Sequence, residues 1–116
     1  MEQELSLTSE IKENCLLIRT SGYVNNSGGE KIASEFSKHF ENGIKKVVLN
    51  FEKSKVVNSI GISFLIEIIE KLNDVQGKLM FSHLDPAVEK TLTIMGLFNF
   101  AGLAQTEEEA LKSLKD

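Results

Sequence analysis

The strands of this chain are predicted from where apolar residues alternate with polar ones and where they run together. Residues 5–8 alternate leucine with serine or threonine, which indicates a half-buried edge strand. A polar turn at residues 12–14 leads into an apolar strand at residues 15–21, so these two strands are expected to form an antiparallel hairpin. Residues 46–51 are apolar almost without interruption, as in a central strand covered on both faces, and residues 78–84 predict a further strand.

Helices are predicted between and after these strands from capping signals and from helical spacing. A Ser-Gly-Gly-Glu capping box opens a helix predicted over residues 27–42. A second helix is predicted over residues 59–75. Serine and acidic residues lie on one side of it, and the other side carries an apolar core stripe formed by Ile62, Leu65, Ile66, Ile69 and Leu72. Asp85-Pro86 predicts the start of a third helix, and a second capping box at residues 106–109 starts the fourth.

Strands and helices that alternate along the chain in this way predict an α/β architecture. The units between successive strands are expected to be βαβ units with right-handed crossovers, and residues 97–103 predict a short last strand. A chain of 116 residues and 12.9 kDa fits one domain with a single core. We therefore expect one domain over residues 1–116.

Composition and charge narrow the class of function. A net charge of −4 and a pI near 5.2 argue against nucleic acid as the main partner, because no basic surface would neutralise phosphates. The N-terminus is acidic and no apolar run is long enough for a signal peptide or a membrane span, so a cytoplasmic protein is expected. Cys15 is the only cysteine and lies in an apolar run, which favours a small buried side chain over a reactive thiol.

The sequence carries no motif for catalysis or for a cofactor. His39 and His83 have no cysteine or acidic cluster at ligand spacing, and the glycines form no nucleotide-binding fingerprint. No serine has the surroundings of a hydrolase nucleophile. We therefore expect no enzyme, no cofactor and no metal site, and a protein that acts by binding other molecules.

The start of the predicted second helix carries the main candidate site. Ser59 lies where a buried strand gives way to an apolar helix, so it is expected to be exposed at the positive end of the helix dipole. Reversible phosphorylation of this serine would change one surface of the protein, although Ser59 or Asn58 would also serve as a helix cap. Gly61 indicates either close packing or the approach of a partner. Ile60 and Phe64 fall outside the core stripe of this helix. Their side chains are therefore expected either to add to the core, by covering an edge of the sheet, or to contact a partner.

These segments, in this order, resemble the STAS domain, the fold of bacterial anti-sigma factor antagonists. The resemblance covers residues 5–114 and rests on three parts of the chain. They are Val47-Val48-Leu49-Asn50-Phe51, Asn58-Ser59-Ile60-Gly61-Ile62, and Met95-Gly96-Leu97 followed by Glu107-Glu108-Glu109-Ala110. The resemblance implies a STAS-like α/β fold, a mixed and mostly parallel β-sheet with about four helices packed on it.

The resemblance also implies a switch in partner exchange. Members of the family bind an anti-sigma factor that is also a serine kinase, which phosphorylates the serine of an Asp-Ser-x-Gly motif, and a PP2C-type phosphatase resets it. Ser59 and Gly61 occupy the serine and the glycine of that motif. Asn58, and Asn25 in a preceding loop that resembles Gly-x-x-Asp, stand where many members carry aspartate. The partner-binding residues expected on this basis are Asn25, Asn58, Ser59, Ile60, Gly61 and Phe64.

Two alternatives to this switch remain open from the sequence. The first is a constitutive STAS module that serves as a scaffold in a larger complex, such as a stressosome or a lipid-transport system. The second is a small-ligand sensor that binds a nucleotide or a lipid in a groove beside Ser59. Stabilisation of the folded state by a metabolite would indicate the sensor, because a ligand that binds only the folded state raises apparent stability.

Overall fold

The structure, a computed structural model, describes residues 3–115 as one five-stranded sheet with four α-helices. The strands lie in the sheet in their chain order, with β1 and β5 at the edges. The strands are β1 (Ser6–Lys12), β2 (Cys15–Ser21), β3 (Lys46–Lys53), β4 (Lys78–Ser82) and β5 (Gly102–Ala104). The helices are α1 (Asn26–Phe40), α2 (Ser59–Asp74), α3 (Pro86–Ile94) and α4 (Glu107–Ser113).

The sheet is mixed and mostly parallel, as the sequence predicted. β1 pairs with β2 as an antiparallel hairpin, and β2, β3, β4 and β5 then pair in parallel. Glu13 and Asn14 form the hairpin turn with φ of 54° and 67°. Two successive residues with positive φ are the geometry of the tight turns that match the twist of paired strands. The turn therefore fixes the register in which Lys12 lies opposite Cys15.

The helices cover both faces of the sheet unequally. Helices α1, α2 and α3 pack on one face, over the larger apolar core that contains Leu49 and Phe81. Helix α4 packs alone on the other face, over a smaller cluster that contains Leu17 and Val48. Val48 and Leu49 are successive residues of β3 and point to opposite faces, because side chains along a strand alternate between the two faces of the sheet. No helix in the described part of the chain combines the length and apolar character of a membrane span.

Helix α2 has a wider buried face than its predicted stripe. Ile62, Leu65, Ile69 and Leu72 are buried as predicted, whereas Ile66 of the same predicted stripe is only half-buried. Ile68, which the helical pattern leaves outside the stripe, is buried too. Helix α2 contacts α1 as well as the sheet, so its apolar surface has two neighbours to cover rather than one.

Two local predictions are wrong. Helix α1 is capped by Asn25, whose side chain accepts a hydrogen bond from the amide of Gly28 at 2.9 Å, and not by Ser27. Residues 97–103 form a short 3₁₀ turn, Leu97–Asn99, before the strand Gly102–Ala104, and not one strand. Gly96 has φ of 82°, so the chain turns sharply after α3 and the last strand starts late.

Candidate functional site

Two loops meet at the ends of β2 and β3 and bring the starts of α1 and α2 together. The amide of Gly22 donates to the carbonyl of Lys53 at 3.0 Å, and the amide of Val24 donates to that of Val56 at 3.0 Å. The amide of Asn58 donates back to the carbonyl of Val24 at 3.1 Å. Because these bonds are backbone bonds, the two loops form one firmly positioned surface.

Asn25 and Asn58 cap the two helices in the same way. The side-chain oxygen of Asn25 accepts from the amide of Gly28 at 2.9 Å, and that of Asn58 accepts from the amide of Gly61 at 2.8 Å. Asparagine caps a helix about as well as aspartate but carries no charge. The two asparagines therefore keep the caps while leaving this end of the molecule without two carboxylates.

Gly61 is buried, and its missing side chain lets α2 approach the preceding loop. A Cβ atom at this position would collide with the backbone carbonyl of Val24 and would lie 3.1 Å from the amide nitrogen of Asn25. Gly28 has the matching position at the start of α1, where a Cβ atom would collide with the carbonyl of Tyr23. Of the two roles that the sequence left open for Gly61, the structure shows close packing.

Ser59 is the first residue of α2 and is exposed. Because Asn58 provides the cap, the hydroxyl of Ser59 is not needed for capping, and it makes no hydrogen bond to any residue from 3 to 115. Ile60 beside it is 53% exposed. The start of α2 thus presents an unbonded hydroxyl next to an apolar side chain.

Phe64 lies apart from this exposed pair. It is half-buried at the contact between α1 and α2, where its ring covers Gly29. A Cβ atom on Gly29 would come within 2.6 Å of that ring, so the phenylalanine fills the space that the glycine leaves. The structure therefore brings Asn25, Asn58, Ser59 and Ile60 to one surface, with Gly61 beneath it and Phe64 on its flank.

The neighbouring serines differ from Ser59 in access or in bonding. Ser54 and Ser82 are both 0% exposed, and the hydroxyl of Ser54 lies 2.7 Å from that of Thr20. Ser63 is exposed one turn further along α2, and its hydroxyl donates to the carbonyl of Ile60. Among these four serines, Ser59 alone combines exposure with a free hydroxyl.

A polar cluster on the opposite face of the sheet was missed by the sequence interpretation. Arg19 donates to both carboxylate oxygens of Glu107, at 2.7 and 3.0 Å, and to Glu10 at 2.7 Å. Asn50 donates to Glu107 at 2.6 Å. Burial raises the pKa of Glu107, but the bonds from Arg19 and Asn50 outweigh it and hold that pKa below its usual range. An arginine within the apolar run of β2 was the signal that could have revealed this cluster.

Cys15 is buried, as the sequence predicted, and it lies under α4. Its burial raises the pKa of the thiol, with a smaller opposing effect from the charge of Lys46. A thiol with a raised pKa carries little thiolate near neutral pH. Cys15 is therefore a packing residue rather than a nucleophile. Among the described residues, no group of histidine, cysteine and acidic side chains has the arrangement of a metal site.

The sequence of this chain is similar to a known protein family and to a named relative. The sequence profile of the STAS domain matches residues 6–110. Over 111 residues the chain is 25% identical to BtrV of Bordetella bronchiseptica, which is named as a candidate anti-sigma factor antagonist, and the match covers 96% of each chain.

Solved structures of anti-sigma factor antagonists share the fold of this chain. An anti-sigma factor antagonist from Mycobacterium paratuberculosis superposes with a TM-score of 0.85 at 18% identity, over 97% of this chain and 96% of that one. The Bacillus cell fate determinant SpoIIAA in its phosphorylated form gives a TM-score of 0.75 at 23% identity, over 95% and 100% of the two chains. At these identities the likeness establishes the shared fold.

Proposed function

This chain belongs to the STAS domain family, and we propose on that basis that it is a non-enzymatic, cytoplasmic anti-sigma factor antagonist. Its partner is an anti-sigma factor with serine kinase activity, and phosphorylation of Ser59 ends the complex. A PP2C-type phosphatase restores the binding form. The observation that carries the proposal is the exposed hydroxyl of Ser59, which is free because Asn58 caps the helix.

A phosphate on Ser59 should change the stability of the folded domain little. Phosphorylation adds about −1.5 to −2 charges at neutral pH. The cap occupies the amide of Gly61, which leaves the first two amides of α2 without partners inside the helix. A helix N-terminus with free amides favours an anion. The modification should therefore change binding far more than it changes the stability of the fold.

The partner interface would not tolerate the same charge. Ile60 lies next to Ser59 and is exposed, so a partner that covers it also removes water from Ser59. Burying a charge without an opposite charge costs several kcal/mol. Phosphorylation would thus dissociate the two proteins, because the phosphate would have to lose its water in the interface.

We expect Ser59→Asp to weaken binding of the anti-sigma factor by about tenfold or more, which is about 1.4 kcal/mol. Ser59→Ala should bind like the wild type and should resist phosphorylation. Titration calorimetry with the purified anti-sigma factor, and intact mass after incubation with that kinase and ATP, would measure both effects.

The matched control for this experiment is Ser63→Asp, which adds the same charge to the same helix one turn further on. It should change affinity much less than Ser59→Asp. Equal affinity of Ser59→Asp and the wild type would contradict the switch and favour a constitutive scaffold. Phosphate found on Ser63 in place of Ser59 would contradict the assignment of the site.

Asn58→Asp tests the departure of this chain from the Asp-Ser-x-Gly motif. Aspartate should keep the cap on Gly61, and its charge at the N-terminus of α2 should stabilise the unphosphorylated domain by about 0.3–1 kcal/mol. The phosphorylated variant should instead be less stable than phosphorylated wild type, because the new carboxylate and the adjacent phosphate repel each other. Thermal melts of both forms would measure the difference. Repeating them in about 0.5 M salt, which screens interactions between exposed charges, would show whether charge is its cause. If the phosphorylated variant melts no lower than phosphorylated wild type, the asparagine serves as a cap alone.

A further inference from the structure

One stretch of the chain has no charged side chain. Residues 91–106 contain no Asp, Glu, Lys, Arg or His, although 26% of the whole chain is charged. Part of this stretch is nevertheless on the surface, since Ile94 is 74% and Phe100 is 67% exposed. Both are more exposed than Ile60 at the start of α2. Depletion of charge together with exposed aromatic and apolar side chains is the composition of the centre of a protein interface.

One of these exposed side chains, Phe100, lines a groove between α2 and the turn that follows α3. Met95 and Phe100 line one side, and Ile66 and Ile69 of α2 line the other. Ile66 lies seven residues beyond Ser59, which is about 10 Å along a helix. The groove extends from there toward the C-terminal end of α2. It is therefore separate from the surface around Ser59.

The charges beside the groove are acidic. Glu70 lines the groove itself, and Asp74, one turn further along α2, is exposed. Lys71 pairs with Glu67 at 3.7 Å, whereas Glu70 and Asp74 form no ion pair with any residue between 3 and 115. A binding partner that carries basic residues would complement the unpaired acids.

We propose that this groove binds an amphipathic helix of a second protein. Apolar side chains of that helix, spaced three and four residues apart, would enter between α2 and Phe100, and its lysine or arginine residues would face Glu70 and Asp74. An anionic membrane surface fits less well, because the acidic side of α2 would repel it. A symmetric contact between two copies fits less well too, because it would bring the same acids toward each other.

This surface does not depend on the proposed function of Ser59. It lies on another part of α2, so both surfaces would be occupied at the same time without competition. The chain would then link a regulated partner at the start of α2 to a second protein held in the groove.

The first experiment identifies what occupies the groove in cells. Phe100 is replaced by the photo-crosslinking residue benzoylphenylalanine in the full chain, and the crosslinked peptide is sequenced by mass spectrometry. The matched control places the same residue at Ile11, an exposed apolar position on the edge strand β1. We expect position 100 to crosslink to a segment of another protein with helical apolar spacing and basic residues. A crosslink to a second copy or to lipid, or a yield no higher than at position 11, would overturn the proposal.

The second experiment measures binding of that crosslinked segment, synthesised as a peptide, to the purified chain. Phe100→Ser and Glu70→Lys should each weaken its affinity about tenfold, whereas Ile11→Ser and Ser59→Asp should leave it unchanged. Circular dichroism would check that Phe100→Ser is folded. Unchanged affinity of both groove variants would overturn the proposal. Loss of affinity with Ser59→Asp would show that the groove and the surface around Ser59 belong to one binding surface, which would also contradict the proposal.

Discussion

Replacement of Gly61 by alanine should lower the free energy of unfolding by about 1–3 kcal/mol, the usual cost of overpacking a tight contact. Alanine is the better helix former by about 1 kcal/mol, so propensity alone predicts the opposite sign. The clash decides the outcome, because the atom that a new Cβ meets is the backbone carbonyl of Val24. That carbonyl accepts from Asn58, and the amide of Val24 donates to Val56, so the loop has little freedom to move away.

Urea unfolding of Gly61→Ala beside Ser63→Ala would test this. Ser63 lies two residues on in the same helix and is exposed, so its replacement should change stability by less than about 0.5 kcal/mol. Gly28→Ala should resemble Gly61→Ala, since it meets the carbonyl of Tyr23. A Gly61→Ala protein as stable as the wild type would show that the loop yields freely and that packing does not explain this glycine.

The burial of Gly61 also changes how its variants are to be interpreted. A large residue at this position would push α2 away from the loop that carries Asn25, and so would displace Ser59 as well. Loss of partner binding in such a variant would report a moved surface rather than a lost contact. Ser59 and Ile60, which are exposed, are the positions where substitution tests contact directly.

Local periodicity was enough to predict most of the fold. The alternation at residues 5–8 and the polar turn that follows predicted the hairpin, because pairing partners there are close in sequence. The apolar residues of α2 predicted its bounds to within one residue. The buried strand β3 was recognised because a run of apolar residues that short is typical of a strand covered on both faces.

The errors came from choices that local sequence does not decide. Asn25 and Ser27 are both good capping residues, and the capping-box spacing favoured the serine. Asn25 is the cap because hydrogen bonds between the loops after β2 and β3 place it at the helix start. The late start of β5 has a similar origin, since Phe98 packs edge-on against Phe81 of the distant strand β4 and holds the preceding turn.

The candidate site was predicted unevenly for the same reason. The exposure of Ser59 followed from its place between a strand and a helix. The burial of Gly61 did not, because its neighbour Val24 belongs to a loop far away in sequence. The pair formed by Arg19 and Glu107 joins residues 88 positions apart, and no spacing rule connects them.

Helix α4 should come loose from the sheet when that pair is broken. It is only seven residues long. It buries Ala110 and Leu111, together with Leu114 just after its end, over a small apolar cluster. Glu107→Ala removes the acceptor of Arg19 and Asn50, and a bond to a charged group contributes about 1.5–3 kcal/mol when buried. Since Arg19 is 41% exposed, solvent screening reduces the expected loss to about 1–2 kcal/mol.

Cys15 reports this opening directly, because it is the only cysteine and lies under α4. At pH 8, Glu107→Ala should raise the rate of thiol labelling about tenfold, which corresponds to about 1.4 kcal/mol of easier opening. Glu109→Gln, a change at an exposed position of the same helix, should leave the rate unchanged. Equal labelling rates in Glu107→Ala and the wild type would show that the pair does not hold α4.

Low pH should loosen α4 in the same way as Glu107→Ala does. The pKa of Glu107 is lowered in the folded state, so its contribution is present at neutral pH and is lost as the pH falls through that lowered value. Hydrogen bonds, first from Ser9, also lower the pKa of Glu35, so the wild type loses stability in acid at two sites. Glu107→Gln isolates one of them. As the pH falls from about 6, above the usual glutamate pKa, to about 3, below it, the melting temperature of the wild type should fall further than that of Glu107→Gln. Parallel curves would mean that the charge of Glu107, despite its bonds to Arg19 and its proximity to His83, contributes nothing to stability.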